Sequence, residues 1–290
     1  MSNEITGITY VNGEFVNSKD AKVSAYDRGF IFGDGIYEVV PFLNSRLVDN
    51  DDFWERFQSS LSKVNLNFPM TRGEFEDMAY KLIEQNNIDE GGLYIEVTRG
   101  AAPRNFHFVE GLTPTVVSFV YAKNIIANPQ AKTGIRTITF EDIRWKRRDI
   151  KSVSLLAQCL AKEAVYQAGV DECIMHENGF VTEASSSSVF IIKDDTLITK
   201  PLSNEILPGI RRKNILKFAE KTGLKIDKRN FTVEEVLSAD EVFISAATLM
   251  LLPVIKVNDT LINGGKIGKY TPKLRELYAQ KIKKEAGLLS

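Results

Sequence analysis

Two cysteines and two histidines are all that 290 residues carry, and that scarcity removes several chemistries at once. Cys159 and Cys173 are too few for a disulfide framework and stand at no metal spacing, so they read as reduced, mostly buried thiols of a cytosolic protein. His107 and His176 leave little room for zinc. An excess of charge of either sign is missing too. Lys plus Arg number 37 and Asp plus Glu 38, a formal net charge of −1, so no global field draws the chain onto nucleic acid or an anionic membrane. The longest uncharged apolar stretch, Val242 to Ile255, falls short of the ~20 residues a membrane helix needs. Met1-Ser2-Asn3-Glu4 has no basic stretch leading into an apolar one and is not a signal peptide. No Walker loop, HExxH helix or GxSxG elbow occurs. Gly33-Asp34-Gly35 lacks the third glycine of a dinucleotide fingerprint, and Ile36 to Phe42 patterns as a strand where that motif needs a helix. The expectation is a soluble cytoplasmic protein with no metal, no nucleic-acid partner and no membrane.

What is present is enough apolar material, 43% of residues, to bury a core in each of two domains. Ile8 to Val11 alternates, Asn12-Gly13 is a hairpin turn, and the alternation restarts at Glu14. Helical spacing follows over Asp51 to Val64 and Arg72 to Asn86, then strands over Leu93 to Thr98 and Thr115 to Ala122. A Gly- and Pro-containing loop between those strands carries Arg104 and His107. The polar stretch around Asn128-Pro129 reads as a linker, which predicts an N-terminal α/β domain over 1–123, a linker over 124–131 and a larger domain over 132–290. In the larger domain the pattern gives a strand from Ile135 to Phe140, a helix from Val153 to Ala168, and hairpins turning at Asn178-Gly179 and Asp194-Asp195. A helix from Gly209 to Thr222, strands at Glu241 to Ile244 and Val254 to Val257, and a closing helix from Pro272 to Glu285 complete it. The class is α+β.

One constellation carries chemistry. Arg144-Trp145-Lys146-Arg147-Arg148-Asp149-Ile150-Lys151-Ser152 puts Lys151 where a loop enters an apolar helix. A free lysine amine, with a pKa near ~10.4, is a poor nucleophile at neutral pH; desolvation and neighbouring cations lower that value, and both are at hand here. On composition alone Lys151 reads first as the last member of a solvated basic run. Glu183, followed by Ser185 to Ser188 between two strands, offers a carboxylate able to hold a protonated ring nitrogen. Leu207-Pro208-Gly209-Ile210-Arg211 sets a helix N-terminus behind Pro-Gly, where free N–H groups and the helix dipole favour a phosphate. Amine, ring-nitrogen partner and phosphate cradle are the parts that hold pyridoxal phosphate.

In this order the motifs resemble the fold-type IV pyridoxal-phosphate enzymes, the class IV aminotransferase family of D-amino-acid transaminases, branched-chain aminotransferases and aminodeoxychorismate lyases. Asp27 to Glu38 matches the family's first signature, Glu141 to Ser152 its lysine segment and Thr182 to Ser187 its glutamate segment. The resemblance implies a small N-terminal α/β domain and a larger β-barrel-like domain with helices, with pyridoxal 5'-phosphate as cofactor. It implies a Schiff base on Lys151, which then shuttles the proton, and Glu183 on the ring nitrogen. Arg56, Ile210 and Arg211 fall at the phosphate, Leu207 against the ring, and Tyr37 over the site, where it would orient substrate or Lys151. The family's hydroxyl position at the phosphate is Ala247 here, with Thr248 one place later.

The stretch Pro103 to Phe108 is similar to the loop with which D-amino-acid transaminases reach from the partner subunit to bind the substrate carboxylate. Arg104 falls on its arginine, whereas the histidine place is Phe106, with His107 one residue on. Arg28 and Arg148 are candidates to complete the carboxylate site; Arg28 reads equally as structural and Arg148 as half of a surface ion pair. Ser185 and Ser186 are also implied at the substrate. The implied activity is transamination of D-alanine or acidic D-amino acids with 2-oxo acids, in a homodimer with shared active sites. The alternative is an L-branched-chain transaminase, whose lysine, glutamate and phosphate sites would be identical, and after it an aminodeoxychorismate lyase. A non-catalytic binder of a phosphorylated ligand would use the Gly209 terminus alone.

Overall fold

The computed structural model describes residues 5–289; Met1-Ser2-Asn3-Glu4 lies outside the described residues. The chain divides into two compact units. The first is Met1–Lys123 with Ile150–Ser154 and Lys283–Ser290, and the second is Asn124–Asp149 with Leu155–Ile282.

The first unit opens with β1 (Ile8–Val11) and β2 (Glu14–Asn17), turned by Asn12 and Gly13, both at positive φ, as a tight two-residue hairpin turn requires. A short helix α1 (Arg28–Phe32) is capped by the Asp27 side chain and ends on Gly33. Then come β3 (Gly35–Leu43), β4 (Arg46–Leu47), α2 (Asn50–Lys63), α3 (Arg72–Asn86), β5 (Glu90–Thr98) and β6 (Thr115–Ala122). The six strands form one antiparallel sheet in the order β2-β1-β6-β5-β3-β4. Helix α3 starts in a full capping box between Thr71 and Glu74. The apolar stripes of α2 and α3, among them Phe53, Phe57, Phe75 and Leu82, bury against Ile36, Val40, Leu93 and Ile95 of the sheet. Each such fully buried side chain contributes about 1.5–3 kcal/mol.

In the second unit α4 (Gln130–Thr133), β7 (Ile135–Glu141), α5 (Leu156–Gln167), β8 (Glu172–Glu177), β9 (Phe180–Ala184), β10 (Ser188–Lys193) and β11 (Thr196–Thr199) are followed by α6 (Ile210–Lys221), β12 (Lys225–Lys228), α7 (Val233–Leu237), β13 (Glu241–Ala246), β14 (Met250–Val257), β15 (Thr260–Leu261) and α8 (Tyr270–Glu285). Eight strands run β12-β11-β10-β13-β14-β7-β8-β9, with β15 on β14. The sheet is mixed, since β11–β12, β14–β7 and β7–β8 are parallel, and it curls into a half-barrel. One face is a dry layer of Val189, Ile191, Val242, Ile244, Leu252 and Val254. The sequence also predicts a helix from Val153, but α5 starts at Leu156. Residues 150–154 instead bond to β3, through the bridge Ile36–Ser152 and the N–H of Val153 to the Gly35 carbonyl at 3.2 Å. Cys173 is buried, its thiol pushed up to about 12 by desolvation first and by Glu172 second, while Cys159 is exposed and corrects the expectation of mostly buried thiols. Among the described residues no helix is long and apolar enough to cross a membrane.

Candidate active site

The first unit holds Lys151. Its backbone is fixed to the start of β3 by the Tyr37 N–H, which donates to the Lys151 carbonyl at 2.9 Å, and its own N–H donates to Ser60 Oγ of α2 at 3.4 Å. Gly33 makes the approach possible. It stands at φ 67°, and a Cβ there would come within 2.4 Å of Ser154 Oγ. The Lys151 ammonium lies 4.2 Å from the centroid of the Tyr37 ring, a cation–π contact that restrains a flexible amine. Tyr37 stacks on Tyr94 at 5.5 Å and Tyr94 on Phe119 at 4.7 Å. The Tyr94 hydroxyl donates to Glu96 at 2.6 Å, and Glu96 is the cross-strand partner of Tyr37. Burial raises the Glu96 carboxyl above its usual range, against the lowering effect of the Tyr94 hydrogen bond. Arg56 is gripped side-on by Glu38, Nε to Oε1 and a terminal nitrogen to Oε2, both at 2.6 Å, with Glu38 fully buried.

The carboxylate-site candidates divide. Arg28 is buried; its Nε donates to Asp34 at 2.7 Å, and its terminal nitrogens donate to the carbonyls of Asn105 and Phe106 at 2.5 and 3.4 Å. Its guanidinium therefore anchors the 104–108 loop within the fold, as its structural reading expects. Arg104 is exposed, its guanidinium over the Phe32 and Phe106 rings at 5.5 and 5.1 Å. His107 is exposed as well, its backbone N–H bonded to Asn105 Oδ1 at 3.1 Å.

The second unit holds Glu183, at the buried end of β9. One of its oxygens accepts from Arg144 at 2.8 Å, and the Leu207 N–H bonds the same carboxylate. Arg144 also grips Asp142 with Nε and a terminal nitrogen at 2.9 and 2.8 Å, and Asp142 accepts from Thr182 Oγ1 at 2.6 Å. Arg148 is buried, 3.4 Å from Asp142 and 3.0 Å from Glu177. The surface pair expected for Arg148 is thus a buried one, and it is Arg147 that pairs with Asp149, at 3.0 Å. Ser185 is also committed within the fold, donating to buried Glu172 at 2.5 Å, whereas Ser186 is exposed.

The phosphate candidates lie at the N-terminus of α6. Its N-cap, Gly209, supplies no side-chain cap, and a helix N-terminus turns backbone N–H groups and the positive end of its dipole toward an anion. A Cβ on Gly209 would fall 2.7 Å from Ser188 Oγ. Ser188 is paired in register with Ser245, so both hydroxyls lie on one sheet face. The hydroxyls of Ser245 and Ser187 are buried with no hydrogen-bond partner. Ala247 and Thr248 are half-buried in the turn between β13 and β14. An uncapped helix terminus, a glycine where a Cβ would intrude and orphaned buried hydroxyls fit a phosphate. A buried carboxylate such as that of Glu183 fits a ring N–H. Sequence reasoning missed Asp142, Arg144, Ser187 and Ser245; the one available signal was the pair of arginines four apart, 144 and 148, matched by acidic residues at 142, 177 and 183.

Among known proteins, the profile described as Amino-transferase class IV matches residues 35–257. The D-alanine aminotransferase of Staphylococcus epidermidis is 39% identical over 274 residues, covering 94% of this chain and 97% of that protein. The D-alanine aminotransferase of Staphylococcus haemolyticus is 40% identical over 268 residues, covering 92% and 95%. The branched-chain amino acid aminotransferase of Escherichia coli shares the fold with a TM-score of 0.88 at 21% identity, over 97% of this chain and 96% of that one. The chain belongs to the class IV aminotransferase family, whose cofactor is pyridoxal 5'-phosphate.

Proposed function

We propose that this protein is a D-amino-acid transaminase that moves the amino group of D-alanine or an acidic D-amino acid to a 2-oxo acid such as pyruvate or 2-oxoglutarate. The observation that carries this reading is the 39% identity to a D-alanine aminotransferase across 94% of the chain. Lys151 holds the cofactor and Glu183 bonds its ring nitrogen. The α6 terminus at Ile210 and Arg211 takes the phosphate together with Arg56 and Thr248, with Leu207 against the ring. When bound, the cofactor supplies an electron sink for the carbanion formed at the substrate Cα. The chain's own part is to place groups around it. The Tyr37 ring restrains the Lys151 amine, which takes the proton from the substrate Cα and returns one after electron shift. Glu183, as a carboxylate, holds a proton at the ring nitrogen. Arg104 takes the substrate carboxylate, entering from the partner subunit of a homodimer located in the cytoplasm.

The test is the absorbance spectrum of the reconstituted protein, recorded before and after D-alanine in one cuvette and L-leucine in another, without any 2-oxo acid. Conversion to the pyridoxamine form by D-alanine alone is expected. Conversion by L-leucine alone would replace the reading with a branched-chain transaminase, and continuous pyruvate release from added aminodeoxychorismate, without a 2-oxo acid, would indicate a lyase.

A further inference from the structure

Glu183 is buried, and burial pushes its carboxyl above the usual range, with Arg144 and the Leu207 N–H acting against that rise. A carboxyl in such surroundings drifts toward its neutral form, in which it cannot hold a proton on a bound pyridine. Arg144 is arranged against that drift. One terminal nitrogen is given to Glu183, while its Nε and the other terminal nitrogen close a two-point grip on Asp142. Asp142 is itself held by Thr182 Oγ1 and faces Arg148. The guanidinium is thus locked in one orientation from behind, with its charge pressed on one oxygen of Glu183. Arg keeps its charge when buried and offers planar donors to two carboxylates at once. The remaining charged neighbours of Glu183 are Asp142, which opposes its ionisation, and Arg212, which feels its field.

We propose that Arg144 is a positioning residue for the transamination chemistry: clamped by Asp142, it holds Glu183 as a carboxylate so that the ring nitrogen of the bound cofactor stays protonated. The proposal rests on the assignment of Glu183 to the ring nitrogen.

The experiment uses holoenzyme loaded with pyridoxal phosphate labelled with nitrogen-15 in the ring, and follows the ring-nitrogen NMR shift from pH 6 to pH 9. Wild-type protein is expected to keep the protonated shift throughout. R144M is expected to move toward the deprotonated shift within that range and to lose more than tenfold in kcat. R144K, which keeps the charge, is expected to recover most of the shift. R144Q serves as the second neutral variant should R144M not fold. A neutral variant that retains the wild-type shift at every pH would overturn the proposal, even with reduced activity or a lowered Tm, because the residue would then be merely structural. Loaded wild-type protein with a deprotonated ring nitrogen would instead overturn the assignment of Glu183 itself.

Discussion

Glu38 and Arg56 show how single side chains commit the first unit to one geometry. Glu38 has no exposed surface and spends both oxygens on Arg56 at 2.6 Å. Breaking a buried pair of this kind by removing one partner costs about 3–5 kcal/mol. E38Q keeps the shape but not the charge, and is expected to lower the unfolding free energy by about 3 kcal/mol in urea titrations; an unchanged midpoint would show that Arg56 is stabilised elsewhere. This residue scale was also where the sequence was hardest to read. The run from Arg144 to Lys151 looks like a solvated basic stretch, yet Arg148 is 3% exposed and Arg144 buries its guanidinium, while Lys146 stands out in solvent with Glu177 as its partner. Which arginines turn inward depends on Asp142, Glu177 and Glu183, and two of those three are carried on later strands. Lys151 and Glu183 themselves stand out in the sequence only in combination with the Gly209 terminus and through family motifs, since each alone reads as a surface charge.

Elements were more legible where local chemistry decides them. The Asn12-Gly13 turn and the apolar stripe of α3 are fixed by neighbours within four residues, and each appears where its pattern predicts; the Thr71 capping box, which the structure adds, is equally local. Partners far along the chain decided the others. Strand β14 begins at Met250, four residues before the predicted Val254, because antiparallel pairing with β13 extends to Ala246–Met250. Strand β12, with the sequence Lys-Ile-Asp-Lys, has little apolar pattern and exists because it lies parallel on β11. The α6 terminus combines both kinds of determinant. Gly209 has an ordinary negative φ, so no backbone strain attends an alanine there; what matters is that its Cβ would meet Ser188 Oγ at 2.7 Å. G209A is therefore expected to displace the helix terminus, at an overpacking cost of about 1–3 kcal/mol, and to weaken pyridoxal-phosphate binding roughly tenfold. S188A should restore affinity in the double variant, since Ser188 Cβ lies at an ordinary 3.9 Å. Fluorescence titration of the cofactor-free protein reads both, and a G209A protein of wild-type affinity would remove the α6 terminus from the phosphate site.

Across the whole molecule, each unit closes on one aspartate set between arginines. In the first, Asp34 takes Arg28 at 2.7 Å and Arg99 at 2.9 Å. In the second, Asp142 takes Arg144 at 2.8 Å and faces Arg148 at 3.4 Å. Burial alone would raise both carboxyls, but the guanidinium groups outweigh it and hold both below the usual range. An aspartate with a depressed folded value gives the folded state an advantage that is complete above the unfolded value of about 3.9 and drains away as pH falls through the folded one. Glu96 and Glu183 act in the opposite sense. Their folded values are raised, so they cost stability as pH climbs past the unfolded value of about 4.3 and relieve that cost on acidification. As pH falls through those raised folded values toward about 4.3, protonation of the glutamates therefore favours the folded state, and below about pH 4 loss of the aspartate pairs takes over. Thermal unfolding of the cofactor-free protein from pH 7 to 3 is expected to hold or rise slightly to about pH 4.5 and then fall, in both units over the same range because each carries the same device. D34N and D142N are expected to lower Tm at pH 7 and to make the acid fall shallower, each by its own share. A double variant whose Tm falls as steeply below pH 4 as that of the wild type would show that the acid sensitivity arises outside these two pairs.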